Sequence, residues 1–191
     1  MYDETQLRII DATMTLIIEK GYSGTTSKNI AKLAGVNEST IFRRFDGKKE
    51  IVLAAMELAK WNPKLSEGDF VYHGNLTEDL IAFAQVYMSK VTPKMVKVSI
   101  GLRSAELEGA AMPGIMKVPM IFKKILMCYF EEMIANGKMR ECDIESVSLQ
   151  FISMNFGFVF LEASFGDQLI GVSKTDYIRK SVESFVHGIR I

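Results

Sequence analysis

The chain has 191 residues, 48% hydrophobic and 24% charged, with 23 basic residues balancing 23 acidic ones. That apolar share can bury a sizeable core and excludes a disordered chain, while the zero net charge neither favours nor excludes a nucleic-acid partner. The cysteines, Cys128 and Cys142, and the histidines, His73 and His187, lack metal-ligand spacing, so no metal site and no cofactor is expected.

With only 4 prolines and apolar residues recurring every three or four positions, the sequence reads as all-α. The opening Met-Tyr-Asp-Glu-Thr-Gln has neither a basic start nor an apolar run, so it is no signal peptide. Charges break the apolar stretches short of a membrane span, so no membrane partner is expected. A first helix is predicted from about Asp3 to Lys20, with Leu7, Ile10, Met14 and Ile17 on one face, ended by Gly21. A short second helix follows Thr25-Thr26, whose hydroxyls can cap it, and turns Ile30, Leu33 and Ala34 inward. Gly35-Val36-Asn37 makes a tight turn, and a third helix runs from Glu38 to about Phe45, capped by Asn37. A fourth, from Lys48 to about Lys60, places Ile51, Ala55 and Leu58 inward. Trp61-Asn-Pro63 breaks the pattern, and the polar stretch 66–75 reads as a loop or linker. Further helices are predicted near Thr77–Val91, Pro93–Glu108, Pro113–Asn136, Asp143–Phe165 and Lys174–Ile189. The predicted domains are 1–60 and 61–191.

Between Lys20 and Lys49 stand seven basic residues against two acidic ones, which suits a DNA-contacting module or a solvated helical face. Two short helices joined by a glycine-containing turn, inside a three-helix unit, make a helix-turn-helix whose second helix enters a major groove. Residues 8–51 carry Gly21-Tyr22, Thr25-Thr26, Ile30-Ala31, Ala34-Gly35-Val36, Ser39-Thr40-Ile41-Phe42, Phe45 and Lys48-Lys49-Glu50. In these the chain resembles the DNA-binding domain of the TetR (tetracycline-repressor) family. The resemblance implies DNA contacts from Thr26, Ser27, Lys28, Ser39, Thr40, Phe42, Arg43, Arg44 and Lys48. Ser39 and Thr40 lie in the first turn of the recognition helix, within reach of groove floor or phosphate. They also suit a plain helix start. Phe42 stands where the family usually has tyrosine, so one phosphate hydrogen bond is missing. Arg43 and Arg44 can take phosphate or guanine, or form a solvated pair. Lys48, at a helix start, suits a phosphate. Glu38 either accepts from a cytosine amino group or complements the helix N-terminus, and the second reading is favoured.

Nine of the twelve methionines lie between Met88 and Met154, as adaptable pocket lining or as core filler. Phe151, Phe156, Phe158, Phe160 and Phe165 circle their helix, so that helix should be buried on most sides. In the resembling family the last two long helices form a four-helix dimer bundle. This implies a homodimer face including Phe151, Phe158, Ile178, Val182, Phe185 and Ile189. By position, Trp61, Tyr87, Met95, Arg103, Met116, Met120, Phe122 and Asn155 are candidate lining residues of a ligand cavity.

The residues show no catalytic triad, phosphate loop or paired carboxylates, so an enzyme is not expected. The expected function is a cytoplasmic, nucleoid-associated repressor, released from a palindromic double-stranded DNA operator by a mostly apolar small-molecule effector. The alternative is a DNA-bound scaffold that recruits or blocks another protein. An enclosed apolar cavity would favour the sensor, and an exposed patch away from the dimer face the scaffold.

Overall fold

The computed structural model describes residues 2–107 and 109–190. Among these, helices follow one another without a named strand: α1 (Glu4–Lys20), α2 (Ser27–Ala34), α3 (Glu38–Arg44), α4 (Lys48–Glu57), α5 (Leu76–Lys90), α6 (Pro93–Gly101), α7 (Met112–Ala135), α8 (Ile144–Phe165) and α9 (Lys174–Ile189). Two compact units result. The first comprises Met1–Pro63 with Lys94–Met116, and the second Lys64–Pro93 with Lys117–Ile191. A single boundary after residue 60 would leave α6 outside the first unit. The structure places α6 and the turns after it within that unit.

In the first unit, α1 packs on α2 and α4, and α2 on α3. Asp3 starts α1 with a capping box, its carboxylate accepting from Gln6 N at 2.8 Å while Gln6 Oε1 accepts from Asp3 N at 3.0 Å. Ile9, Ile10, Met14 and Ile17 form the buried stripe, whereas Leu7 is 40% exposed. Thr26 caps α2 by accepting from Asn29 N. Thr25 instead donates to Gly21 O at 2.9 Å, closing the preceding turn. Gly35 leaves α2 at φ +65°, in the left-handed region where glycine costs least. Ile30, Ala31 and Ala34 are buried beneath α2, but Leu33, expected inward, is 53% exposed. Asn37 stands at the start of α3 without a side-chain cap bond, and Ile41 and Phe45 anchor that helix. Helix α4 stops at Glu57 rather than Lys60, with Leu58 half-buried.

The predicted helix Pro93–Glu108 ends early, at Gly101, and Glu108 lies outside the described residues. A Cβ on Gly101 would sit 2.6 Å from Ile17 O, so glycine permits α6 to touch the α1 backbone. There Gly101 O accepts from Tyr22 N at 3.0 Å, which ties the end of α6 to the α1–α2 turn.

The second unit is built on rings. Phe70 meets Phe83 edge-on at 5.2 Å, Tyr87 stacks on Phe122 at 4.5 Å, and Phe151 meets Phe185 at 5.3 Å. Truncating any fully buried member to alanine costs about 3–5 kcal/mol. The 66–75 stretch is no free linker. Phe70 is buried, and buried Asp79 accepts from His73 N and Gly74 N, both at 2.8 Å, and from Tyr129 Oη at 3.0 Å. Helix α9 packs against α5 and α8. Asp143 caps α8 and Ser173 caps α9. Contrary to the expectation from sequence, the stretch Ile144–Gln168 is long and apolar enough, by length and composition, to cross a membrane. Its charges, Glu145, Glu162 and Asp167, lie toward its ends, and one side of it is the core of the second unit.

Candidate functional site

The exposed surface of α2 and α3 is where the sequence placed the DNA contacts. Thr26, Lys28, Ser39, Phe42, Arg43 and Arg44 are exposed, and Ser27 and Thr40 half-buried. Phe42 keeps 59% of its surface in solvent. A ring held out on a seven-residue helix that has only Ile41 buried beneath it gains little from folding. It suits a partner surface.

Besides Thr26, which caps α2, two of the nine residues have other partners. Arg44 Nη1 lies 2.9 Å from Asp3 Oδ2, the carboxylate that caps α1, a partner the sequence did not suggest. Lys48, expected on phosphate, is half-buried and has partners within the protein. Its ammonium donates to Tyr22 O at 2.7 Å and Thr25 O at 3.0 Å, and sits 3.8 Å above the Tyr22 ring. Burial pushes its pKa below the ordinary lysine value, with Glu106 opposing. Burial, then Glu106, raises that of the Tyr22 phenol. Lys48 thus ties the start of α4 to the turn from which α2 emerges. Gly35 and the α1–α2 turn aim the helix pair, Ile41 and Phe45 seat α3, and the cationic side chains stand on its outer face.

The candidate ligand residues divide between the units. Trp61, Met95, Arg103 and Met116 belong to the first, and Tyr87, Met120, Phe122 and Asn155 to the second. Trp61 is 3% exposed, and its indole Nε1 donates to Asp11 Oδ1 at 3.0 Å. Met95 is half-buried, Arg103 exposed, and Met116 43% exposed. In the second unit Tyr87 and Phe122 are packed against each other, and burial drives the Tyr87 phenol far above its ordinary pKa. Buried Asn155 donates to Phe151 O at 2.8 Å, within its own helix. Met120 faces solvent at 62% exposure. A cleft of about 400 Å³ beside α8, lined by Met154, Gly157, Leu161, Leu169, Val172 and others, holds none of the eight. A cleft of about 340 Å³ at the junction of α1 and α6 includes Arg103.

The expected dimer residues are largely enclosed within one protomer. Phe151, Phe158, Ile178, Val182 and Ile189 are at most 5% exposed within one protomer. Phe185 is half-buried against Phe130 and Phe151. These side chains fill the protomer's own core. The apolar surface left over comprises Leu149, Phe156 and Phe160 on the opposite side of α8, with Leu161, Phe165 and Leu169 toward and beyond its C-terminal end, each 36–57% exposed. The signal for it was in the sequence, because Leu149, Phe156 and Phe160 recur at helical spacing on the face opposite Phe151 and Phe158.

Residues 9–55 match the family described as bacterial regulatory proteins, tetR family. Over 187 residues, 97% of each chain, the sequence is 28% identical to the HTH-type transcriptional regulator YvkB of Bacillus subtilis. In fold it is similar to the transcriptional regulator FadR of Bacillus subtilis, solved in complex with stearoyl-CoA. The TM-score is 0.69 at 23% identity, covering 96% of this chain and 99% of that one. It is similar too to AibR, solved in complex with isovaleryl coenzyme A and operator DNA. There the TM-score is 0.70 at 19% identity, covering 95% and 97%. The matched segment thus carries the DNA-binding domain of the tetR-family bacterial regulatory proteins, and along its length the chain has the fold of TetR-family transcriptional regulators.

Proposed function

We propose that the protein is a homodimeric repressor that binds a pseudo-palindromic operator and is released by a small apolar or amphipathic ligand. The observation that carries DNA binding is the outward display of Phe42 and Arg43 on α3 beside Lys28 on α2. Ser27, Ser39 and Thr40 stand close enough in sequence to add phosphate or groove contacts. In this reading residues 1–60 read DNA and residues 61–191 sense ligand and dimerise, with α6 moving with the DNA-reading unit. The protein binds without turnover and works on the nucleoid. The dimer face is the outward side of α8, carrying Leu149, Phe156 and Phe160, because so many large apolar side chains exposed on one helix call for a partner. A two-fold dimer presents two recognition helices about one helical turn of DNA apart.

The ligand-bound states of AibR and FadR support a coenzyme A thioester as the first effector class to test. An effector acts only through its differential affinity for two shapes, and a coupling of roughly 1–3 kcal/mol gives about a 5- to 150-fold loss of operator affinity. The test begins with selection of bound duplexes from a random pool. A palindromic consensus bound well above random duplex at physiological salt is the expected result, and equal binding would refute the DNA reading. Acyl-CoA thioesters of short and long chain are then titrated into the complex. Thermal stabilisation by one of them with unchanged operator affinity overturns the sensor reading and favours the scaffold.

A further inference from the structure

We propose that Asp3, at the start of α1, is a positioning residue for Arg44 and through it sets which base pair the recognition helix prefers. The inference rests on the DNA-binding reading of α3. Arg44 is the last residue of α3, and its guanidinium reaches back to Asp3 Oδ2 at 2.9 Å. Both side chains are 40–44% exposed, and an ion pair so wet contributes little to stability. Geometry gives the pair its meaning. Asp3 cannot swing freely, because its other carboxylate oxygen accepts from Gln6 N at 2.8 Å and Gln6 Oε1 accepts from Asp3 N at 3.0 Å. The capping box therefore makes a rigid acceptor out of a side chain near the chain terminus. The ion pair engages only Nη1 of Arg44. A guanidinium has five N–H donors in a planar fork, so the edge formed by Nη2 and Nε stays free. A held fork with one open edge is what bidentate pairing to guanine O6 and N7 requires. A flexible arginine would accept phosphate or any exposed acceptor instead. Arg43, its neighbour on α3, is exposed and suits backbone contact.

The experiment uses the full-length protein with Asp3→Asn, Arg44→Ala and the double variant. Asparagine accepts at a helix start as well as aspartate does, so α1 keeps its cap and thermal unfolding should stay near wild type. Affinities are measured for the selected duplex, for the same duplex with single base-pair changes through each half-site, and for random duplex. Wild-type preference for the selected duplex establishes DNA reading independently of Asp3. The expected result is that Asp3→Asn lowers discrimination at one base pair by about fivefold or more, while affinity for random duplex stays equal or rises. Arg44→Ala should remove discrimination at that same base pair, and adding Asp3→Asn to it should change nothing further. The proposal is overturned if Asp3→Asn tightens all duplexes alike, which would make Asp3 a mere competitor for Arg44. It is equally overturned if discrimination is unchanged, or if the two substitutions act additively.

Discussion

Replacing Lys48 with methionine separates the two tasks open to a lysine at the start of α4. If its ammonium holds phosphate, its loss weakens all duplexes and lowers the slope of log K against log salt by about 0.9. If it staples the protein to itself, the loss appears in folding and leaves that slope alone. The structure supports the staple. Two charge-assisted hydrogen bonds end on Tyr22 O at 2.7 Å and Thr25 O at 3.0 Å, and at the low end each contributes about 1.5 kcal/mol. The ring contact at 3.8 Å adds about 0.5–1 kcal/mol at a half-exposed site. Methionine keeps the packing of the aliphatic stem and returns part of the loss, which leaves a destabilisation of about 2–3 kcal/mol. At 2–4 °C per kcal/mol for a chain of this size, the unfolding midpoint should fall by roughly 4–12 °C. Calorimetry with and without duplex, and anisotropy between 50 and 200 mM salt on the order used for such slopes, make the comparison. An unchanged midpoint with a slope lowered by about one would refute the staple and return Lys48 to the phosphate.

Phe42→Tyr restores a hydroxyl on the exposed ring of α3 and should tighten operator binding by about 0.5–1.5 kcal/mol, roughly two- to tenfold; unchanged affinity would mean that the ring lies away from phosphate. Phe160→Asp, on the outward side of α8, should give a folded monomer by sedimentation. Phe151→Asp buries a charge at a fully enclosed site and should abolish folding, and a dimeric Phe160→Asp would move the interface elsewhere. The Ser146 hydroxyl and amide, with the Glu145 amide, hold the Asp143 carboxyl below its ordinary pKa. Its contribution is therefore complete above the ordinary carboxylate range and is lost as pH falls through the depressed folded value. In Asp143→Asn that part of the acid unfolding curve should flatten.

The helix-turn-helix was legible because its rules are local. Gly21 and Gly35 punctuate, Thr26 caps, and Ile30 and Ile41 repeat where a short amphipathic helix must bury them. The later helices were legible for the same reason, and five predicted segments return within a residue or two except where α6 ends. What stopped α6 is a long-range event: Gly101 meets the backbone of Ile17, and Tyr22 takes its carbonyl. No window of sequence around residue 101 contains that information. Long-range partners also hid the side-chain roles of Arg44, bonded to a residue 41 positions away, and of Lys48, bonded to Tyr22 across 26. The enclosure of the expected dimer residues was hidden for a different reason. A single stripe such as Ile178, Val182 and Ile189 measures only one buried side, and α9 spends that side on its own protomer. A helix apolar all round, such as α8, has a second side to offer. The residues of α8 that lie opposite Phe151 and Phe158 are the side the protomer leaves exposed.

Trp61 carries the same lesson into an experiment. Its place just after α4 made it a candidate wall of a ligand cavity, yet the structure encloses it within the first unit. Its Nε1 donates to Asp11 Oδ1 at 3.0 Å, and Lys60 bridges to the other oxygen of that carboxylate at 2.5 Å. Lys94, from α6, stands 3.9 Å above the ring. Asp11 on α1 therefore fixes the indole edge while α6 supplies a cation to its face, so the single tryptophan joins three helical segments. Asp11→Ala leaves a buried N–H without an acceptor, at a cost of about 1–3 kcal/mol, and should lower the unfolding midpoint by roughly 2–12 °C. Asp11→Asn keeps an acceptor and should lose much less. Lys94→Met should change the emission of Trp61 with little loss of stability, because the contact from a lysine as exposed as Lys94 contributes about 0.5–1 kcal/mol. A small molecule that shifts Trp61 emission in the wild type but not in Lys94→Met is then acting through α6 and not by touching the indole. If Asp11→Ala unfolds at the wild-type midpoint, or if ligand-dependent emission is the same in Lys94→Met, the clamp does not hold the ring and Trp61 returns to the cavity wall.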